Sequence, residues 1–292
     1  MIPKEILKKI RKIQITTSRM VSNTFAGKYH SVFKGRGMEF HEVREYLPGD
    51  EIRTIDWNVT ARTGHPFIKK FIEERELTVM LLLDMSGSAF FGSSNQLKVQ
   101  LAAELCSVLA FSAIQNNDKV GLIIFTDRIE KFIPSRKGLR HVLRVIREAL
   151  YFKPQGKGTD INLALDYLSH LTKRKTISFL ISDFLAKDFK ASLAIANRRH
   201  DIVGVTITDP REIELDDIGI VRFSDKETNQ ERVVDTGSST FRKNYKIKAQ
   251  ERIKARTTLF RSLGVDSIDI YTDKPYEKEL VKFFKLRESR LR

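Results

Sequence analysis

Residues 80–88 read MLLLDMSGS: an apolar run ends on Asp84, and Ser86 and Ser88 follow at alternate positions. A chain that curls around an ion can turn every second side chain inward, so D-x-S-x-S offers one carboxylate and two hydroxyls to a single centre. A second apolar run, TISFLIS (176–182), also ends on an aspartate, Asp183. Between them lies GKGTD (156–160), a glycine-bracketed loop that presents Thr159. The candidate set is therefore Asp84, Ser86, Ser88, Thr159 and Asp183. All are hard oxygen donors without His or Cys, which suits Mg²⁺, with Mn²⁺ or Ca²⁺ as alternatives, and not zinc. Neutral hydroxyls in place of further carboxylates leave such an ion with charge to spare for an anionic oxygen from outside.

These residues meet only if the elements around them place them together. LTVMLLL (77–83), DKVGLIIF (118–125), TISFLIS and DIVGVTI (201–207) are apolar strands, and helical patterns at 95–116, 138–150 and 161–172 alternate with them. Continuous apolar strands between helices indicate an α/β fold with a doubly wound, mostly parallel sheet covered on both faces. Ligands of such sheets bind beyond the carboxyl ends of the strands, where the strand order reverses. Asp84 and Asp183 share that point if the first and fourth strands are neighbours.

The rest of the chain divides as follows. Residues 1–28 carry Ile6, Leu7, Ile10 and Ile13 at helical spacing among lysines, which predicts an amphipathic helix. Residues 29–76 predict a small β-rich module. Residues 77–292 form the α/β body, with a hairpin and basic helix as an excursion at 213–264 and VDSIDIY (265–271) returning to the main sheet. In the small module, Arg44, Asp50, Arg53, Asp56 and Arg62 surround Pro48-Gly49 and Trp57. They are expected to be an ion-pair network around a buried tryptophan.

The bulk composition narrows the function. The net charge is +15, and the excess is terminal: residues 1–40 hold nine basic and two acidic side chains, and residues 241–292 hold fifteen and seven. No aromatic residues interleave with these basic ends in a recognisable motif, so solvated helix faces are favoured over nucleic-acid binding. The lone cysteine, Cys106, sits in the apolar stretch LAAELCSVLAF and reads as a buried thiol. No stretch of ~18 apolar residues predicts a transmembrane helix, and a cytoplasmic protein is the default expectation. No G-x-x-x-x-G-K-[ST] loop is present, so any ATPase chemistry belongs to a partner. A Mg²⁺-dependent phosphohydrolase is the alternative reading. That class needs a second carboxylate two residues after the first, and here the position is Ser86.

The candidate set resembles the metal-ion-dependent adhesion site of von Willebrand factor A domains. Asp84, Ser86 and Ser88 match its first loop, Thr159 its second and Asp183 its third. EFHEVREYLPGDEIRTIDWNVTAR (39–62), SDF (182–184), RRHDIVGVTITDPRE (198–212) and VDTG (234–237) are similar to a bacterial family catalogued as domain of unknown function 58. The resemblance implies an A-type domain that binds partners through a divalent cation, without enzymatic activity. The expected partner is a protein that offers an acidic side chain. A MoxR-type AAA+ ATPase is implied as a working partner in protein assembly or maturation.

Overall fold

The computed structural model of the 292-residue chain describes residues 39–291, apart from 73–76, 94–95, 187, 225 and 228–229. The amphipathic helix expected at 1–28 lies outside the described residues.

The described part of 33–77 forms one compact unit. Strand β1 (Glu39–Glu45) pairs antiparallel with β2 (Phe67–Ile72), and a short helix, α1 (Trp57–Thr63), lies between them in sequence. Asp56 caps α1 by accepting hydrogen bonds from the amides of Asn58 and Val59, and Gly64 ends it at φ 76°. Arg44 grips Asp50 with two guanidinium bonds of 2.9 and 2.8 Å, closing the turn around Pro48-Gly49. The expectation of a buried tryptophan is corrected here. Trp57 is the first residue of α1 and is 67% exposed.

From Thr78 onward the chain forms a second unit built on six strands. They are β3 (Thr78–Asp84), β4 (Lys119–Phe125), β5 (Ile129–Arg136), β6 (Ile177–Ser182), β7 (Asp201–Thr208) and, after a two-stranded excursion, β10 (Asp266–Tyr271). The excursion is β8 (Ile220–Ser224) and β9 (Glu231–Asp235). The spatial order is β10-β7-β6-β3-β4-β5, parallel throughout except for β5. The order reverses between β3 and β6, so the first and fourth strands of the sheet are neighbours, with Leu83 opposite Ile181.

Both faces of the sheet are covered. The helices are α2 (Lys98–Gln115), α3 (Leu139–Tyr151), α4 (Ile161–Leu171), α5 (Lys190–Arg199), α6 (Ser239–Leu263) and α7 (Glu277–Leu291). Side chains alternate across a strand. Met80 and Leu82 therefore join Leu165, Leu168, Leu193 and Phe260 in one core cluster, while Val79, Leu81 and Leu83 face α2 on the other side. That double burial explains why β3 is apolar at every position from 79 to 83. Phe260 packs against Gly204 so closely that a Cβ there would lie 2.8 Å from its ring. The end of the basic helix α6 thus serves as the crossover between β7 and β10. Cys106 is buried in α2, and burial pushes its thiol pKa up, as expected of a core thiol.

One buried carboxylate ties the carboxyl-end loops together. Asp209, just after β7, accepts hydrogen bonds from the Ser93 amide at 2.8 Å, the Ser93 hydroxyl, the Arg211 amide at 2.9 Å and the Thr272 hydroxyl at 2.8 Å. Burial alone would raise its pKa; these donors together hold it below the usual 3.8. Asp209→Ala should destabilise the fold by roughly 2–4 kcal/mol, because it strands several buried donors at once. The depressed folded pKa makes this contribution present above about pH 4 and lost as pH falls further. Urea melts of wild type and variant should therefore converge in acid, and a gap unchanged between pH 7 and pH 3 contradicts the assignment.

Candidate functional site at the strand ends

Asp84 ends β3 and is 3% exposed. Its Oδ1 accepts the Ser86 amide at 2.9 Å, and its Oδ2 accepts the Ser182 hydroxyl at 2.5 Å. The Ser86 and Ser88 hydroxyls share a hydrogen bond of 3.1 Å. The first loop of the predicted set is thus gathered as the D-x-S-x-S spacing requires, and Ser86 is fully buried.

Asp183 follows β6 directly and faces the same small void as Asp84, Lys98 and Ser182. Its Oδ1 accepts the Leu185 amide at 3.1 Å, and its Oδ2 accepts Lys98 Nζ at 2.8 Å. Lys98 is 2% exposed and also donates to Glu212 Oε1 at 2.5 Å. Burial would lower the Lys98 pKa, but the two carboxylates outweigh it and hold the ammonium charged.

Thr159 is brought to the rim by its own loop. The Glu130 carboxylate accepts the amides of Gln155 and Gly156 at 3.0 and 2.6 Å, and the Asp160 amide donates to the Thr126 carbonyl at 3.0 Å. Glycine at 156 lets the loop lie against the buried Thr126, since a Cβ there would fall 2.2 Å from the Thr126 hydroxyl and 3.0 Å from its Cβ. The Gly87 amide donates to the Lys157 carbonyl at 2.7 Å, which fastens the first loop to the second. The Thr159 hydroxyl itself donates to Glu227 Oε1 at 2.9 Å.

The charges are unevenly matched. Asp183 shares Lys98 with Glu212, whereas Asp84 has only hydroxyl and amide partners among the described residues. Burial, and then the charge of Asp183, push the Asp84 carboxyl up to about 6, against the lowering effect of its hydrogen bonds. Among the described residues, no three His, Cys, Asp or Glu side chains cluster to hold a metal, so any ion here must lean on hydroxyls. The donor set fits that demand: hard oxygens around a buried carboxylate that lacks a counter-charge.

Four participants escaped the sequence reading. Ser182 stands next to Asp183 at a strand end and was visible in SDF. Lys98 opens an apolar helix and carries no signal. Glu212 and Glu227 come from distant connections, reached only by folding. Among the described histidines, His141 bonds the Val120 carbonyl and His200 bonds Thr176. Both lie at the amino ends of strands β4 and β6, away from the site.

The fold is a doubly wound, mostly parallel α/β sheet whose first loop, Asp84 to Ser88, lies at the switch point. The chain belongs to the family described as "Protein of unknown function DUF58", which matches residues 42–255. An uncharacterized protein of Mycobacterium bovis is 28% identical over 277 residues, covering 94% of this chain and 87% of its own. An aerotolerance-related membrane protein from Bacteroides fragilis is similar in structure, with a TM-score of 0.50 and 15% identity, over 73% of this chain and 99% of that one. The VWA domain of SpRpn10 aligns at a TM-score of 0.35 and 12% identity, over 46% of this chain and 76% of that domain.

The Bacteroides comparison corrects the cytoplasmic expectation. Among the described residues no helix is long and apolar enough to cross a membrane, but a chain sharing this fold is described as a membrane protein. The missing span therefore does not place this protein in the cytoplasm.

The raised carboxyl makes a pH prediction for the protein in EDTA. A folded pKa above the unfolded 3.8 means that the fold is most favoured below pH 3.8 and loses this contribution as pH rises to about 6. Asp84→Asn removes that loss. In EDTA at pH 8 the variant should melt at or above wild type, with the difference shrinking towards pH 4. A variant that is less stable by the same amount at both pH values contradicts this account of Asp84.

Proposed function

We propose that this protein is a non-enzymatic, metal-dependent protein-interaction module. Asp84, Ser86, Ser88, Thr159 and Asp183 would hold Mg²⁺, or Mn²⁺ or Ca²⁺, at the switch point. The observation that carries this reading is Asp84: a buried carboxylate whose hydrogen bonds come from hydroxyls and an amide, facing a second aspartate. A bound divalent cation would supply the missing positive charge and a Lewis-acidic position for an outside carboxylate. Ser86 and Ser88 place neutral oxygens beside it, and the Gly87–Lys157 bond sets the distance between the two hydroxyl-bearing loops. The partner would be a protein that offers an acidic side chain. A MoxR-type AAA+ ATPase is the working partner that the family resemblance implies. The phosphohydrolase alternative gains no support, because Ser86 stands where the acid–base carboxylate is needed and the buried Lys98 is held by two carboxylates.

Melting curves in EDTA and in millimolar Mg²⁺ test the ion. Free metal tenfold above Kd stabilises a fold by about 1.4 kcal/mol, which is a few degrees for a chain of this size. Wild type should show that rise, and the Ser86→Ala/Ser88→Ala double variant should fold and lose it. An equal rise in both proteins places the ion elsewhere. The partner is tested separately. Immobilised wild type should retain a purified MoxR-type ATPase in Mg²⁺ and release it in EDTA, while the double variant retains none. Retention unaffected by EDTA refutes metal-mediated docking.

A further inference from the structure

The β8–β9 hairpin has only a small apolar contact with its surroundings: Val221 and its cross-strand partner Val234 are half-buried, and the opposite face is open. Ile220 is 76% exposed and Val233 66%, and most of the remaining positions of both strands are exposed as well. An isolated two-stranded ribbon is marginally stable in water, so its placement has to come from its ends. The base is clamped: the Thr236 amide and hydroxyl both donate to the Gly219 carbonyl, at 2.8 and 2.6 Å, and the Ile218 amide donates to the Thr236 hydroxyl at 3.1 Å.

Lys226 and Glu227, by contrast, lie on the candidate metal site. A Cβ on Gly87 would fall 2.8 Å from the carbonyl carbon and oxygen of Lys226 and 3.0 Å from the Glu227 amide nitrogen. The tip backbone is therefore seated on the glycine between Ser86 and Ser88. The neighbouring Glu227 carboxylate reaches the Thr159 hydroxyl at 2.9 Å. An acidic side chain from this same chain thus stands at the hydroxyl rim, where the site would receive a partner's acid.

We infer that the hairpin is an internal latch. Glu227 occupies the position on the ion that a partner's acidic side chain needs, and binding requires the partner to displace it. This rests on the metal-site reading above. The exposed ribbon suits the role: lifting its tip uncovers little apolar surface, and the clamp at Gly219–Thr236 keeps it attached. Competition from a tethered carboxylate would favour partners that present an acidic residue on a well-fitted surface over free acidic peptides.

The test compares wild type, Glu227→Gln and Asp84→Asn in EDTA and in millimolar Mg²⁺. Two quantities are measured: the melting temperature, and the rate of tryptic cleavage after Lys226, quantified by mass spectrometry. Glutamine keeps the reach to Thr159 but removes the charge that an ion would hold. In wild type, Mg²⁺ should raise the melting temperature and slow the cleavage about threefold or more, since proteolysis follows the population of the open tip. Glu227→Gln should keep the rise in melting temperature and lose the protection at Lys226. Asp84→Asn should lose both. If Mg²⁺ raises the melting temperature of wild type but protects Lys226 equally in Glu227→Gln, or protects it in neither protein, the latch is overturned and the metal site stands. If Mg²⁺ does not raise the melting temperature of wild type, the metal site falls and the latch with it.

Discussion

The parallel pairing of β3 with β6, at the point where the sheet changes direction, is the constraint on which the site depends. Two buried strands that run side by side in register, Leu83 against Ile181, must deliver their following residues to one place. Those residues are Asp84 on one strand and Ser182 and Asp183 on the other. Packing two carboxylates into a dry switch point is unfavourable unless the charge is answered. Lys98 answers Asp183, and Ser182 offers Asp84 only a hydroxyl. Strand order brings the two carboxylates together, and the helix that starts at Lys98 decides which of them is answered.

The loops beyond the strand ends are anchored by a few buried apolar residues, such as Met85 and Phe184, and held in shape by polar contacts. Glu130 gathers the amides of 155 and 156, Asp209 gathers the segments around Ser93 and Thr272, and Gly87 is tied to Lys157. Each is a charge-assisted or backbone bond that pins a loop to a strand or to a neighbouring loop. Ser86, Ser88 and Thr159 therefore sit on a rigid frame, which is what a site built from weak neutral donors requires. The hairpin is the exception. It is held at its base and touches the site with its tip, so it is the part of this face that can move without disturbing the sheet.

Much of this was legible before folding. The central strands announced themselves because burial on both faces demands unbroken apolar runs, as in 79–83. The site loop stood out only in combination: D-x-S-x-S is common by itself, and it gained weight from Thr159 after a glycine and from a second apolar run that ends on Asp183. Trp57 was misread, because a tryptophan among charges suggests a core, yet Trp57 opens the helix α1 and its ring faces out. The cytoplasmic expectation failed for another reason: that no helix among the described residues is long and apolar enough to cross a membrane says nothing about where the protein resides.

Sequence by itself determined the class of fold and the order of strand and helix, and it singled out five oxygen donors as a candidate set, because periodicity and donor chemistry are local properties. Tertiary structure alone decided which groups surround those donors. Lys98 and Asp183 are separated by 85 residues and Thr159 and Glu227 by 68, and neither contact leaves a local pattern. Whether a buried carboxylate is answered by an ammonium, by a hydroxyl or by an acid from a distant hairpin depends on loop closure across the sheet. That physical event has no signature in the residues on either side of it.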